Sequence, residues 1–216
     1  MVNNKINKDF VLERLSIKKK LDPEYLAYGA AKHKYNLFPP IKEEKLKGLE
    51  KQFSVILPED YRRFILEIGN GGAAPESYLQ PIEEALGYDA PIGKIGKSGS
   101  TFIRPDEIMD NEYQASTGLL LLCDYGCAYA DFLVVAGKEY GFVWTHLEWA
   151  SQHVPVLKNP PHLKTNDLPR DKREEAEERW IKELLSAKDE EKMTFTDWYI
   201  SWLNEDPYID PIIKKT

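Results

Sequence analysis

Three apolar segments separated by glycine-containing turns constrain the fold of this 216-residue chain more than any other feature. The segments are rich in Leu, Val, Phe and Trp and cover residues 119–123, 129–135 and 142–146. The turns between them contain Gly126, Gly137 and Gly141. Short apolar or β-branched runs bounded by such turns are typical of consecutive antiparallel strands. The sequence therefore predicts an antiparallel meander at the centre of the fold.

Two amphipathic helices are predicted before the meander. After Ile41, a charged segment carries apolar residues at i, i+3 and i+7, namely Leu46, Leu49 and Phe53. A second apolar stripe begins just after Pro58 and consists of Tyr61, Phe64, Ile65 and Ile68. This second helix is expected to stop at Gly69, because the following Asn-Gly-Gly can adopt positive φ and reverse the chain.

A third amphipathic helix is predicted near the end of the chain. Thr194 and Asp197 form a capping-box pattern at its start. The apolar stripe that follows comprises Phe195, Trp198, Tyr199, Trp202 and Leu203. Two early helices, a meander and a closing helix predict the α+β class, with the helices packed on an antiparallel sheet.

The remaining segments are expected to be extensions or connections. Residues 1–40 are interpreted as an N-terminal extension with some helix, 41–205 as the domain, and 206–216 as a C-terminal tail. Residues 73–101 are expected to be an irregular connection. A short strand at 102–103 and a small helix at 105–109 are expected to follow it. Residues 154–169 are expected to form a loop, and about 165–192 is interpreted as a charged helical insertion with a solvated face.

Composition places the chain among folded proteins of a reducing compartment. Aromatic residues make up 12% of the chain, which is too many for a disordered segment. No apolar run approaches the length of a spanning helix, and the first residues do not resemble an export signal. Only two cysteines occur, so no disulfide framework is indicated. We therefore expect a cytoplasmic protein without a membrane segment.

Charge is distributed unevenly along the chain. Residues 1–51 carry a balance of +5, whereas residues 59–148 contain 15 acidic and 6 basic side chains, a balance of −9. Such a region would repel a phosphate backbone, so direct nucleic-acid binding is disfavoured and a basic partner is favoured. Acidic surfaces also keep many proteins soluble, and this simpler interpretation remains open.

The motifs that could support catalysis are incomplete. Gly96, Lys97 and Ser98 match the end of a phosphate-binding loop, but Pro91 occupies the position of its first glycine. The four histidines lack metal-ligand spacing, and Cys123 with Cys127 lacks a second ligand pair. A nucleophilic pair of Cys123 with His146 is an alternative without a sequence signature. We therefore expect no catalytic residue, no metal and no cofactor.

Asp131 is unusual because it lies within an apolar strand. A carboxylate at such a position needs a hydrogen-bonding partner or a place on the solvated face. A structural hydrogen bond is favoured over a role in catalysis.

Three motifs in order resemble the Smi/Knr-type proteins of the SUKH superfamily. The segment LPEDYRRFILEIGNGG matches the first signature at Leu57, Pro58, Tyr61, Phe64, Asn70, Gly71 and Gly72. The meander resembles the second signature at Gly126, Asp131, Leu133, Gly141, Val143 and Trp144. The closing helix is similar to the third at Phe195 and Trp198. The N-terminal extension and the charged insertion depart from the pattern of compact members.

The resemblance implies a curved antiparallel sheet covered by helices, and a protein that binds other proteins without catalysing a reaction. Bacterial members commonly act as immunity proteins against toxins, including nucleases, and a fungal branch is associated with cell-wall synthesis and signalling. We expect an immunity protein that binds a basic toxin domain; the alternative is a cytosolic scaffold or regulatory module. The candidate partner-binding residues are Glu107, Asp110, Asp124, Tyr125, Tyr129, Asp131 and Glu139.

Overall fold

The computed structural model describes residues 6–75, 77–87, 118–127, 129–163, 165 and 168–208. The helices of this part are α1 (Lys8–Leu21), α2 (Ala30–His33), α3 (Glu43–Phe53), α4 (Glu59–Glu67), α5 (Ile82–Gly87), α6 (Arg170–Leu185) and α7 (Phe195–Asn204). The strands are β1 (Gly72–Ala73), β2 (Tyr78–Leu79), β3 (Leu119–Gly126), β4 (Tyr129–Val134), β5 (Val143–Leu147) and β6 (Gln152–Pro155). The α+β class is confirmed, whereas the strand and helix predicted between 101 and 109 lie outside the described residues.

The strands β3, β4, β5 and β6 form an antiparallel sheet in chain order, which confirms the predicted meander. The fourth strand is a correction, since residues 154 and 155 were expected in a loop. Their segment offers few apolar residues and contains Pro155, which favours a loop. In the described sheet β6 pairs only with β5, and an edge strand tolerates a proline that a central strand would exclude.

Both faces of the sheet are apolar. On one face Leu120, Leu122 and Leu133 join the main core, to which α4 and α7 also contribute. Within this core the rings of Phe64, Phe195 and Tyr199 meet edge to face or stacked. The opposite face carries a second cluster that includes Leu121, Phe132 and Trp144. Large side chains that carry the family resemblance are buried in these clusters: Leu57, Tyr61, Phe64, Trp144, Phe195 and Trp198.

The Asn-Gly-Gly segment after α4 reverses the chain as predicted. Gly71 and Gly72 have φ of +102° and +103°, the region in which glycine is favoured. The side chain of Asn70 accepts a hydrogen bond from the backbone N–H of Ile82 and donates one to Glu83. The segment that follows is more regular than expected, because it forms the β1–β2 hairpin and α5. Strands of two residues are too short to give a sequence pattern.

The N-terminal residues pack against the end of the chain. On α1 the buried positions are Val11, Leu15 and Lys18, at i, i+4 and i+7. Val11 and Leu15 join the main core with α7, and Arg14 Nε donates a hydrogen bond to the carbonyl of Leu203. A lysine at the third buried position explains why the sequence shows no clean apolar period here.

The charged helix α6 is attached to the sheet by its last turns. Ile181 and Leu184 form a cluster with Val154 and Leu157 next to β6. Most of the preceding helix is exposed, as its mixed charges predict.

Candidate functional site

The β3–β4 turn is shaped by Asp124 and Gly126. Gly126 has a φ of +81°, and Cys127 after it has a φ of +49°. The carboxylate of Asp124 accepts a hydrogen bond from the backbone N–H of Gly126 at 2.8 Å, an Asx turn. The pairing of β3 with β4 shifts register between Asp124 and Gly126. These local bonds define the conformation of the turn.

Asp131 lies buried beneath this turn. Its Oδ2 atom accepts hydrogen bonds from the hydroxyl of Tyr125 and, at 2.8 Å, from the indole N–H of Trp198. Burial raises the pKa of the Asp131 carboxyl, and hydrogen bonds from Tyr125, Thr145 and Trp198 oppose that shift. The expected structural hydrogen bond is therefore confirmed, and Asp131 joins the turn to α7.

Aromatic side chains surround the turn on the same side of the sheet as Asp131. Tyr125 and Tyr129 are partly exposed, and alternation along the strands places both on that side. Tyr28, which is 64% exposed, donates a hydrogen bond from its hydroxyl to the carbonyl of Tyr125 at 2.8 Å. We call Tyr28, Tyr125 and Tyr129 the hairpin face.

The other candidate residues are distributed differently. Asp124 is partly exposed. It pairs with Ala130 across the strands, and Ala130 pairs with His146, so the Asp124 side chain lies on the opposite side of the sheet from the hairpin face. Glu139 lies beyond the other end of β4 and forms an ion pair with Lys192 at 2.6 Å. Both side chains of this pair are at most 5% exposed. Glu107 and Asp110 lie outside the described residues.

The nucleophilic pair considered from the sequence is not assembled. Cys123 is paired with Asp131, and Asp131 with Thr145, so these three side chains share one face of the sheet. His146 follows Thr145 and points to the opposite face. Cys123 is buried and Cys127 is exposed, and neither takes part in a disulfide within the described residues. Among the described residues, no group of three or more His, Cys, Asp or Glu could hold a metal ion.

His146 and His153 face each other across β5 and β6. Their ring centroids are 4.7 Å apart. Burial lowers the pKa of both imidazoles, that of His153 to about 3. Both rings are therefore neutral at pH 7, and protonation of either ring is less favourable in the folded protein than in the unfolded chain.

A cleft of about 340 Å³ adjoins the hairpin face. Tyr28 belongs to both, and Trp198, whose indole N–H donates a hydrogen bond to Asp131, also lines the cleft. Most of the lining comes from α1 with residues 27–35 and from α7 with residues 205–208, and the rest from Ala74, Pro75, Val156 and Met193. The cleft has no signature in the sequence, because most of its lining comes from opposite ends of the chain. The available signal was Lys18, which continues the buried stripe of α1.

Lys18 is the most unusual group in the cleft. The residue is 2% exposed, its ammonium donates a hydrogen bond to the carbonyl of Glu205 at 2.5 Å, and it lies 4.7 Å from the ring centroid of Trp202. Burial lowers the pKa of the ammonium to about 8, so it is mostly charged at neutral pH. The nearby His33 has its pKa lowered to about 4 by burial and is neutral there.

Comparison with known proteins identifies one family. The model of the SMI1/KNR4 family (SUKH-1) matches residues 40–160, more than half of the chain. No curated protein and no solved structure matches the chain. Within the part of the chain that the structure describes, no helix is long and apolar enough to cross a membrane. The matched range covers α3 to β6, so α1, α2, α6 and α7 lie outside it.

Proposed function

Because this chain belongs to the SMI1/KNR4 family (SUKH-1), we propose that it neutralises a toxin by binding it through the hairpin face. Family membership supports a non-catalytic module of the immunity or Smi/Knr type. The toxin partner, its basic charge and the cytoplasmic location of the complex belong to our proposal.

The observation that carries this proposal is the fixed aromatic surface at the β3–β4 turn. Tyrosine is enriched among the residues that dominate binding energy in protein interfaces. Tyr125 is fixed by its hydrogen bond to buried Asp131, and Tyr28 by its hydrogen bond to the backbone of Tyr125. A surface that is ordered before binding loses less conformational entropy when a partner docks.

Charge supports a basic partner. The balance of −9 over residues 59–148 would speed the approach of a positively charged domain. Asp131 and Glu139 are buried and hydrogen-bonded inside the protein, so we do not assign them direct contacts with the partner. Asp124 lies on the opposite side of the sheet from the hairpin face, so it is not assigned a contact at that face either. Glu107 and Asp110 remain the proposed acidic contacts.

Capture from the native cell, followed by a growth assay, tests this function. The intact protein and its Tyr28→Ala/Tyr129→Ala variant are used as baits, with Tyr140→Ala as a control. Tyr140 is an exposed tyrosine near the opposite end of β4. We expect a partner that binds the parent and the control, is lost from the double variant, and stops growth unless the parent protein is co-expressed. A captured partner that is harmless when expressed alone would contradict neutralisation and favour a scaffold or regulatory role.

A further inference from the structure

The cleft between α1 and α7 contains an incompletely paired buried cation. An ammonium group has three N–H donors. Within the described residues, the Lys18 ammonium has one hydrogen-bond acceptor, the carbonyl of Glu205. The two remaining donors can each serve an oxygen acceptor that enters the cleft.

The mouth of the cleft carries the opposite charge. Glu205 and Asp206 line it and both are exposed, and their carboxylates interact electrostatically with the Lys18 ammonium. The charged side chains that line the cleft are those of Lys18, Glu205 and Asp206, and their formal charges add to −1, so the lining favours a cationic group over an anionic one. Arg14 lies outside the lining and donates a hydrogen bond to the carbonyl of Leu203. His33 does not change this balance because it is neutral.

The walls of the cleft provide aromatic surface. Trp202, Tyr28 and Tyr208 line it, and Tyr208 is 75% exposed. Aromatic rings attract cationic side chains, as the position of Lys18 over Trp202 already illustrates. The volume of about 340 Å³ is at the lower end of the range for ligand pockets, which suits a short peptide segment.

We propose that this cleft binds a short segment of the protein partner that carries a lysine or arginine. A carbonyl of that segment accepts a hydrogen bond from Lys18, and its basic side chain pairs with Glu205 and Asp206 beside the aromatic walls. This inference rests on the proposed function for the claim that the ligand is a protein. The charge of the cleft is compatible with a basic partner.

The cleft lies mostly outside the family match. Of the groups used in this argument, Lys18 and Tyr28 precede residue 40, and Trp202, Glu205 and Asp206 follow residue 160. Residues 1–40 would thus add a wall to the domain at 41–205. The cleft then gives this chain a selectivity for its partner that the matched region does not encode.

Small probes test the cleft without the partner. N-acetyl-arginine methylamide is titrated into the full chain, and the indole N–H signal of Trp202, assigned with Trp202→Phe, is followed by NMR. The norleucine and glutamate analogues serve as uncharged and anionic probes. We expect the arginine probe to shift the Trp202 signal with a dissociation constant on the order of millimolar, which is typical of a ligand of this size. The norleucine and glutamate analogues should bind at least tenfold more weakly.

Variants then assign the interaction to the named groups. Glu205→Gln/Asp206→Asn should weaken binding of the arginine probe several-fold, whereas Glu174→Gln/Glu178→Gln on exposed α6 should not. Equal binding by the cleft and control variants, or preference for the glutamate probe, would overturn the inference. That result would overturn the cleft inference alone. The proposed function is tested separately, by whether the Tyr28→Ala/Tyr129→Ala variant loses the captured partner, so a failure of the cleft inference and a failure of the proposed function are distinguishable.

Discussion

The indole N–H of Trp198 on α7 donates a hydrogen bond to Oδ2 of Asp131 on β4 across 67 residues of sequence. The same oxygen accepts a hydrogen bond from the hydroxyl of Tyr125, a residue of the hairpin face. One buried carboxylate therefore connects the closing helix, the sheet and the proposed binding surface. A change at Trp198 is expected to affect stability directly and the hairpin face through Asp131.

Trp198→Ala should lower the free energy of unfolding by about 3–5 kcal/mol, because it leaves a cavity and removes a donor from a buried carboxylate. Trp198→Phe keeps most of the apolar volume and should cost less, about 1–3 kcal/mol. Urea denaturation of both variants measures this difference. A parent-like midpoint for Trp198→Ala would mean that α7 does not contribute to the core.

Gly71→Val should lower the free energy of unfolding by more than about 2 kcal/mol, since φ at this position is +102° and a Cβ would lie 2.7 Å from the carbonyl oxygen of Leu79. Gly48→Ala is the matched control: it lies within α3, where no atom is within 4 Å of an added Cβ. This control should gain about 0.5–1 kcal/mol from helix propensity. Thermal melts that rank the two variants in the opposite order would refute the argument.

The sequence predicted the elements whose apolar pattern is local. The stripes of α3, α4 and α7 and the runs of β3 to β5 are each complete within about ten residues, so periodicity was enough to find them. The cleft could not be predicted, because Lys18 and Trp202 are 184 positions apart in numbering and their contact depends on how α1 packs. Burial also separates candidate carboxylates that look alike in the sequence, such as Asp124 at the turn and Glu139 in its ion pair.

Lys192→Met should lower the free energy of unfolding by about 3–5 kcal/mol, because it leaves the buried carboxylate of Glu139 without its cation. Adding Glu139→Gln should recover part of this loss, since no buried uncompensated charge then remains; the second partner of Lys192, Asp189, is exposed. A double-mutant cycle from urea denaturation measures the coupling. Additive losses would show that the pair is not coupled.

Stability should fall as the pH decreases below about 6.5. Unfolded histidines have a pKa of about 6.5, whereas burial lowers the pKa of His153 to about 3 and that of His33 to about 4. Between the folded and the unfolded pKa, the unfolded state binds more protons than the folded state, so lowering the pH favours unfolding. Above pH 6.5 the histidines are neutral in both states, and the effect is absent.

For His153 alone, this effect reaches about 2 kcal/mol at pH 5. The pH dependence of the urea midpoint between pH 7.5 and 5 should therefore be shallower in His153→Gln than in the parent. His162→Gln, at an exposed position, is the control and should keep the parental slope. Because the buried carboxyl of Asp131 is the same in all three proteins, its opposite contribution cancels in the comparison. Parallel curves for the parent and His153→Gln would refute the assignment.

The most direct test of the binding account is the dissociation constant of the captured partner, measured by calorimetry with variants of unchanged melting midpoint. Tyr28→Ala/Tyr129→Ala should raise the constant by about thirtyfold or more, corresponding to at least about 2 kcal/mol of lost interface energy. Tyr140→Ala, which removes an exposed tyrosine beyond the far end of β4, should leave it unchanged. Equal dissociation constants for the parent, the double variant and the control would contradict binding through the hairpin face.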